Sequence, residues 1–298
     1  MRQLASARWC IFRLFSLFLA ALILFVADCS ALIPQRNGQA NADVKPQIVQ
    51  FPSGNLTLGG LVYKPTGPGP FRALLYNHGS APGFLNNQAF AALGPLFVFH
   101  GWVFFAPYRR GQGLSQAAGP YVGDEIDAAY KKGGIAVATT TMLRLLQTSQ
   151  LDDQLAALGW LKQQPYVKRE NIAAAGNSFG GIETVLGAQH ADYCAAVDAS
   201  GGAESWSNAP ALQQVMMDAV QHSRSPIFFF QAQNDYNLAP SRVLAKAMRD
   251  AGKISAMKIY PPYGSSAGEG HSFAYRGGSV WGDDVFHFLN QYCGALPR

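Results

Sequence analysis

The sequence predicts an α/β fold: a mostly parallel sheet with helices on both faces, entered through an antiparallel N-terminal hairpin. Three observations carry this. Short runs such as Ala73–Tyr76, Trp102–Ala106 and Ile227–Gln231 are apolar at successive positions, as strands covered on both faces are. Between them lie longer stretches with apolar residues three and four apart, for example Leu151, Leu155, Leu158 and Leu161. The two kinds of segment alternate along the chain, the order that builds parallel β–α–β units.

In chain order, Gln47–Phe51 and Leu56–Tyr63 read as strands joined by Pro52-Ser53-Gly54-Asn55, a hairpin turn. Ala73–Tyr76 is a strand halted by Asn77-His78-Gly79. Gln88–Phe99 is helical, and Trp102–Ala106 is a strand stopped by Pro107. Ile126–Gln147 and Asp152–Gln163 are helical, followed by the strand Ile172–Ala175 and the helix Ile182–His190. Then come Ala195–Ala199 (strand), Ala211–Gln221 (helix), Ile227–Gln231 (strand), Ser241–Ala251 (helix), Ala256–Tyr260 (strand) and Val280–Gln291 (helix). Residues 261–273, with Pro261-Pro262 and several glycines, read as a loop. There is no internal repeat, so residues 47–298 are expected to form one domain.

Of 298 residues, 49% are hydrophobic and 14% charged, which excludes a disordered chain. The front end differs from the rest. Arg2, Arg8 and Arg13 precede the uncharged run Leu14–Ala27, the layout of a secretory signal. A run of that length covers only about 21 Å of helix, short of a hydrocarbon core of about 30 Å. The expectation is a signal peptide over residues 1–31, cleaved after Ala31 or near Ala40-Asn41-Ala42, and a linker over 32–46. The alternative is an uncleaved membrane anchor using residues 9–27. The protein is thus expected outside the cytoplasm, periplasmic or secreted, with no stable membrane partner unless that segment stays attached.

The formal charge of +5 falls once the three arginines and Asp28 of the first 31 residues are set aside, leaving 20 basic against 17 acidic residues. With no Lys/Arg-rich run in the body, nucleic acid is not an expected partner. No C-x-x-C or H-E-x-x-H occurs, so no metal site is implied. Cys194 and Cys293 would remain in the exported chain, free to pair or not.

Gly176-Asn177-Ser178-Phe179-Gly180 matches G-x-S-x-G, a strand-to-helix turn that exposes a nucleophilic serine. Roughly 0.2 such matches arise by chance in a chain of this composition, so context must decide. A second match, Gly264-Ser265-Ser266-Ala267-Gly268, follows Pro261-Pro262 and reads as having neither a feeding strand nor a departing helix. Ser178 has both, so Ser178 is the expected nucleophile and Ser266 is read as loop.

A serine hydroxyl needs a base, and the base an orienting acid. With such a turn the acid and the histidine follow in that order. Asp235 lies just past the strand Ile227–Gln231, and His271 past the next strand. Asp198 ends an earlier strand. His100, His190 and His222 sit near helix ends, and His287 lies within a helix. For a tetrahedral oxyanion the expected donors are the N–H groups of Phe179 and of Ser80 in the loop after Ala73–Tyr76, with Phe84 the rival to Ser80. His78 is read as a brace of that loop.

These segments resemble the α/β-hydrolase superfamily, specifically its dienelactone-hydrolase and prolyl-oligopeptidase-like serine hydrolases, over roughly residues 47–292. The likeness rests on His78-Gly79, Arg110-Gly111-Gln112-Gly113-Leu114-Ser115, Gln164-Pro165-Tyr166-Val167, the Ser178 turn, Asn234-Asp235 with Pro240, and Gly270-His271-Ser272-Phe273. It departs at Asn177, where His or Glu is frequent, and at Ser178, where the dienelactone enzymes use Cys. The resemblance implies hydrolysis of a small-molecule carboxylic ester through an acyl-enzyme, without metal or organic cofactor. The alternatives are a prolyl-oligopeptidase-type peptidase or amidase, an acyltransferase, and a non-catalytic binding protein. Around the site, Leu114–Gln150 is expected to overhang a cleft lined by Trp206, Tyr236 and Tyr108. Glu183 is either a buried brace or a pocket carboxylate, and Arg110 either a loop anchor or a substrate contact.

Overall fold

A computed structural model describes residues 44–294. The expected signal segment, its cleavage positions and the linker up to residue 43 lie outside the described residues. Eight strands form one sheet: β1 (Gln47–Ser53), β2 (Leu56–Tyr63), β3 (Phe71–Asn77), β4 (Trp102–Pro107), β5 (Val167–Asn177), β6 (Ala196–Ala199), β7 (Ile227–Ala232) and β8 (Ser255–Tyr260). Their spatial order is β1-β2-β4-β3-β5-β6-β7-β8. The first two strands pair as the expected antiparallel hairpin, and β2 meets β4 antiparallel. Every other pairing is parallel. The fold class is the one that the sequence predicts.

Among the described residues there are eight α-helices: α1 (Asn87–Phe99), α2 (Val122–Gln147), α3 (Ser149–Lys162), α4 (Phe179–His190), α5 (Pro210–Gln221), α6 (Ala239–Asp250), α7 (Ala267–Arg276) and α8 (Gly278–Tyr292). Successive strand residues feed opposite faces. Leu74, Phe104, Ala173 and Phe230 pack with Phe97 of α1, Phe273 of α7 and Phe286 of α8. Their neighbours Leu75, Phe105 and Ala174 pack against Leu158 and Leu161 of α3. Further along that second face, Phe229 meets Ile182, Met216 and Leu244 of α4, α5 and α6. Among the described residues, no helix is long and apolar enough to cross a membrane.

One expectation fails. Residues 267–276 are helical, although the prolines and glycines before them read as a loop. Ser266 is its N-cap: the hydroxyl accepts from Glu269 N–H and the Glu269 carboxylate reaches back to the cap, a reciprocal pair that satisfies otherwise unbonded first-turn donors. Phe273 and Ala274 then bury against the sheet. Ser266 is a cap, not loop filler, and His271 rides on a helix.

Cys194, just before β6, is bonded to Cys293 at the end of α8. This bond closes a loop spanning 99 residues of sequence separation, which restricts the unfolded chain. Replacing Cys293 by Ser is expected to lower unfolding stability by about 2–4 kcal/mol. Urea denaturation under non-reducing conditions measures this, and an unchanged midpoint contradicts it.

Candidate active site

All the candidate groups come from the carboxyl ends of the parallel strands, the edge where open α/β sheets place ligands. Ser178 sits between β5 and α4 with φ 55° and ψ −120°, a conformation that L-residues seldom adopt. Such a turn costs of order 1–3 kcal/mol and persists only when its surroundings enforce it. Here glycines do so. A Cβ on Gly176 would lie 2.1 Å from the Gly180 carbonyl oxygen, and one on Gly180 would lie 2.0 Å from the carbonyl oxygen of Asn77. The missing side chains let β3, β5 and α4 close up behind the serine. Asn177, the departure from the family pattern, accepts from the Tyr76 hydroxyl at 2.7 Å.

Asp235 and His271 meet. Nδ1 of His271 lies 2.8 Å from Oδ1 of Asp235. The aspartate also accepts from the Tyr236 backbone N–H at 2.7 Å and from Gln231 Nε2 at 2.8 Å. Burial disfavours its charge, but the His271 bond and charge, with Ser200 and Gln231, outweigh that and hold its carboxyl below the ordinary aspartate value. An ionised Asp235 fixes the proton of the ring on Nδ1 and leaves Nε2 as the acceptor. Nε2 makes no hydrogen bond among the described residues, and no bond joins it to Ser178 Oγ. The two residues line one cleft of about 420 Å³. Catalytic contacts of this type commonly tighten only when substrate is bound.

Glu204, which sequence reasoning missed, faces the same nitrogen, its carboxylate 3.8 Å from Nε2. Burial opposes the imidazolium, but the bond and charge of Asp235 and then the charge of Glu204 outweigh it, raising His271 above the ordinary histidine value. The available signal was position: a carboxylate in the turn after β6, at the edge where the other groups converge.

Ser80, Ser178 and Glu204 also border a second lobe of about 260 Å³, walled by Val122, Ile126 and Met142 of α2 and by Phe179. The segment 114–150 therefore does overhang the site. Trp206 and Tyr108 do not line it, contrary to expectation. Trp206 is buried with Met216 and Leu212 beneath the turn after β6. Tyr108 is wholly buried, its hydroxyl bonded to Asn87 and its ring against His78 and Phe90. An aromatic residue near a strand end points to the cleft or to the core, and the sequence does not distinguish the two. Tyr236 stands exposed at the rim, its ring 5.2 Å from that of His271. Phe84 is half exposed and packs on Tyr108.

Beneath the loop after β3 lies a charged network. Arg109 is ion-paired with Glu183 of α4, both buried. Glu183 is thus a brace. Arg110 is bonded to Asp153 of α3 through Nε and Nη2, which ties its loop down. Asp198 turns back to accept from Gly201 N–H at 2.8 Å, and burial pushes its carboxyl up to about 7. Among the described residues, no group of three or more His, Cys, Asp or Glu is arranged to hold a metal ion.

The family model described as the dienelactone hydrolase family matches residues 86–286. No curated protein sequence matches the chain. Among solved structures, Pyrococcus horikoshii acylaminoacyl peptidase aligns with a TM-score of 0.62 at 15% identity, covering 85% of this chain and 43% of that one. A Pyrococcus furiosus esterase aligns at TM-score 0.60 and 14% identity, over 85% of this chain and 92% of that one. A candidate dienelactone hydrolase from Klebsiella pneumoniae subsp. pneumoniae aligns at 0.59 and 16%, over 84% and 98%. This chain therefore spans less than half the length of the peptidase but nearly all of the other two. At these identities the likeness speaks to the fold. With about two thirds of its length under the family model, the chain belongs to the dienelactone hydrolase family of the α/β-hydrolase superfamily.

Proposed function

We propose that this protein is a serine hydrolase that cleaves small carboxylic esters through an acyl-enzyme. The observation that carries the reading is the strained Ser178 on the same cleft as a His271 ring held by Asp235. In this mechanism His271 Nε2 takes the Ser178 proton as Oγ attacks the ester carbonyl, and then gives it to the leaving alcohol. Asp235 keeps the ring oriented and stabilises its cation. The N–H of Phe179, at the start of α4 where no intrahelical acceptor exists, and that of Ser80 receive the oxyanion. Water then attacks the acyl group with the same base. The lobe walled by Ile126 and Met142 suits an apolar acyl or alcohol group.

The peptidase neighbour supports amide cleavage as a second reading, and p-nitroanilides beside p-nitrophenyl esters separate the two. Anilide rates equal to ester rates favour the peptidase. The Cys194–Cys293 bond supports an oxidising compartment, in line with an exported chain.

Ser178→Ala is expected to remove p-nitrophenyl butyrate turnover by at least about 10³-fold, as loss of a triad member does elsewhere. Ser266→Ala should retain it, with only about 1 kcal/mol less stability from the lost cap. The opposite pattern would make Ser266 the nucleophile. Asp235→Asn, which removes control of the tautomer, is expected to cut kcat by roughly 10⁴-fold. Steady-state kinetics on folded protein measures each.

The base must be neutral to act. Activity is therefore low below the His271 pKa and rises as pH passes through it, with a midpoint above the ordinary histidine value of 6.5. Glu204→Gln removes a charge that favours the imidazolium, so the acid limb of the kcat/KM profile should move to lower pH. A limb that stays put or moves upward contradicts that role for Glu204.

A further inference from the structure

Four consecutive carbonyls in the loop after β3 accept from side chains. The His78 carbonyl accepts from Arg109 Nη1 at 2.7 Å and that of Gly79 from Arg109 Nη2 at 2.8 Å. The Ser80 carbonyl accepts from the Tyr121 hydroxyl. That of Ala81 accepts from Gln112 Nε2 at 2.7 Å and Asn86 Nδ2 at 2.9 Å. In a planar trans peptide the C=O and the next N–H point in opposite directions. Holding the Gly79 carbonyl down on a buried guanidinium therefore turns the Ser80 N–H away from Arg109. Ser80 lines both lobes of the cleft, and its N–H meets no acceptor among the described residues.

The same guanidinium reaches the other half of the site. Its plane lies over the Phe179 ring at 5.0 Å, and it is ion-paired with Glu183, one turn further along α4. His78 adds a contact, its Nδ1 2.8 Å from the Gly79 carbonyl and its Nε2 3.4 Å from the Arg109 backbone N–H. We propose that Arg109 is a positioning residue for catalysis: its two-pronged grip on the His78 and Gly79 carbonyls aims the Ser80 N–H at the oxyanion and locks the β3 loop to the nucleophile helix. This rests on the serine-hydrolase reading above. The role requires the planar fork of arginine, because a lysine ammonium presents one centre and cannot hold both carbonyls in register.

Arg109→Lys keeps the charge opposite Glu183 and removes the fork. Its kcat for p-nitrophenyl butyrate is expected to fall up to about 10²-fold, the scale of losing an oxyanion donor, with KM changed less than about threefold. The inhibition constant of a trifluoromethyl ketone, which forms a tetrahedral adduct, should rise in step with the loss in kcat/KM. A folded Arg109→Lys protein with unchanged kcat, or with ketone affinity intact, overturns the proposal. A second measurement needs no variant: the crystal structure of the wild-type chain inhibited by a fluorophosphonate. The proposal expects the phosphonyl oxygen about 2.7–3.1 Å from Ser80 N, with Gly79 still bonded to Arg109. An adduct on Ser178 with the Gly79 carbonyl turned toward it overturns this proposal alone. No adduct on Ser178 overturns the hydrolase reading and this one with it.

Discussion

The rest of the site depends on one close approach. Gly180 of α4 lies so near the Asn77 carbonyl that no side chain fits between them, and Gly176 meets the Gly180 carbonyl just as tightly. Within that contact the intervening Ser178 stands at positive φ. It also brings the end of β3, and so the loop that follows it, against the start of α4. Strain at one residue and adjacency of two loops are thus a single packing decision. The glycines make it possible, at the cost of chain entropy that the buried sheet around them offsets.

Charge is arranged around that contact in two layers. Below the cleft, Arg109 with Glu183 and Arg110 with Asp153 occupy each other, so neither guanidinium is left free toward substrate. In the cleft, carboxylates face the histidine from two sides, Asp235 at Nδ1 and Glu204 near Nε2. Asp235 is buried and held by several donors, so its charge is felt strongly by the ring. Glu204 is about half exposed, so solvent weakens its pull. The buried carboxylate sets the tautomer, and the exposed one adjusts the proton affinity.

The sheet was legible because its strands are short apolar runs ended by polar or glycine residues, and Ser178, Asp235 and His271 each follow such a run. α7 was not legible. Pro261-Pro262, Gly264, Gly268 and Gly270 argue for loop by propensity, and tertiary packing of Phe273 and Ala274 overrides them. One local sign existed, the Ser266…Glu269 capping pair directly ahead of the helix. The burial of Trp206 and Tyr108 is not legible for a different reason: large aromatics close to a strand end are needed by core and cleft alike. The Arg109 network was invisible for a third. Its partners, Glu183 and the carbonyls of residues 78 and 79, are brought to it only by the sheet order, in which β3 lies between β4 and β5.

We propose that Ser178 is the reacting hydroxyl and His271 its base, and treatment of the intact protein with a fluorophosphonate across a pH series, with the modified peptide mapped by mass spectrometry, decides it. A single labelled serine, Ser178, is expected, with a labelling rate that rises as His271 loses its proton. Label on Ser266 or any other serine, or a rate on Ser178 that ignores pH through that range, overturns the assignment.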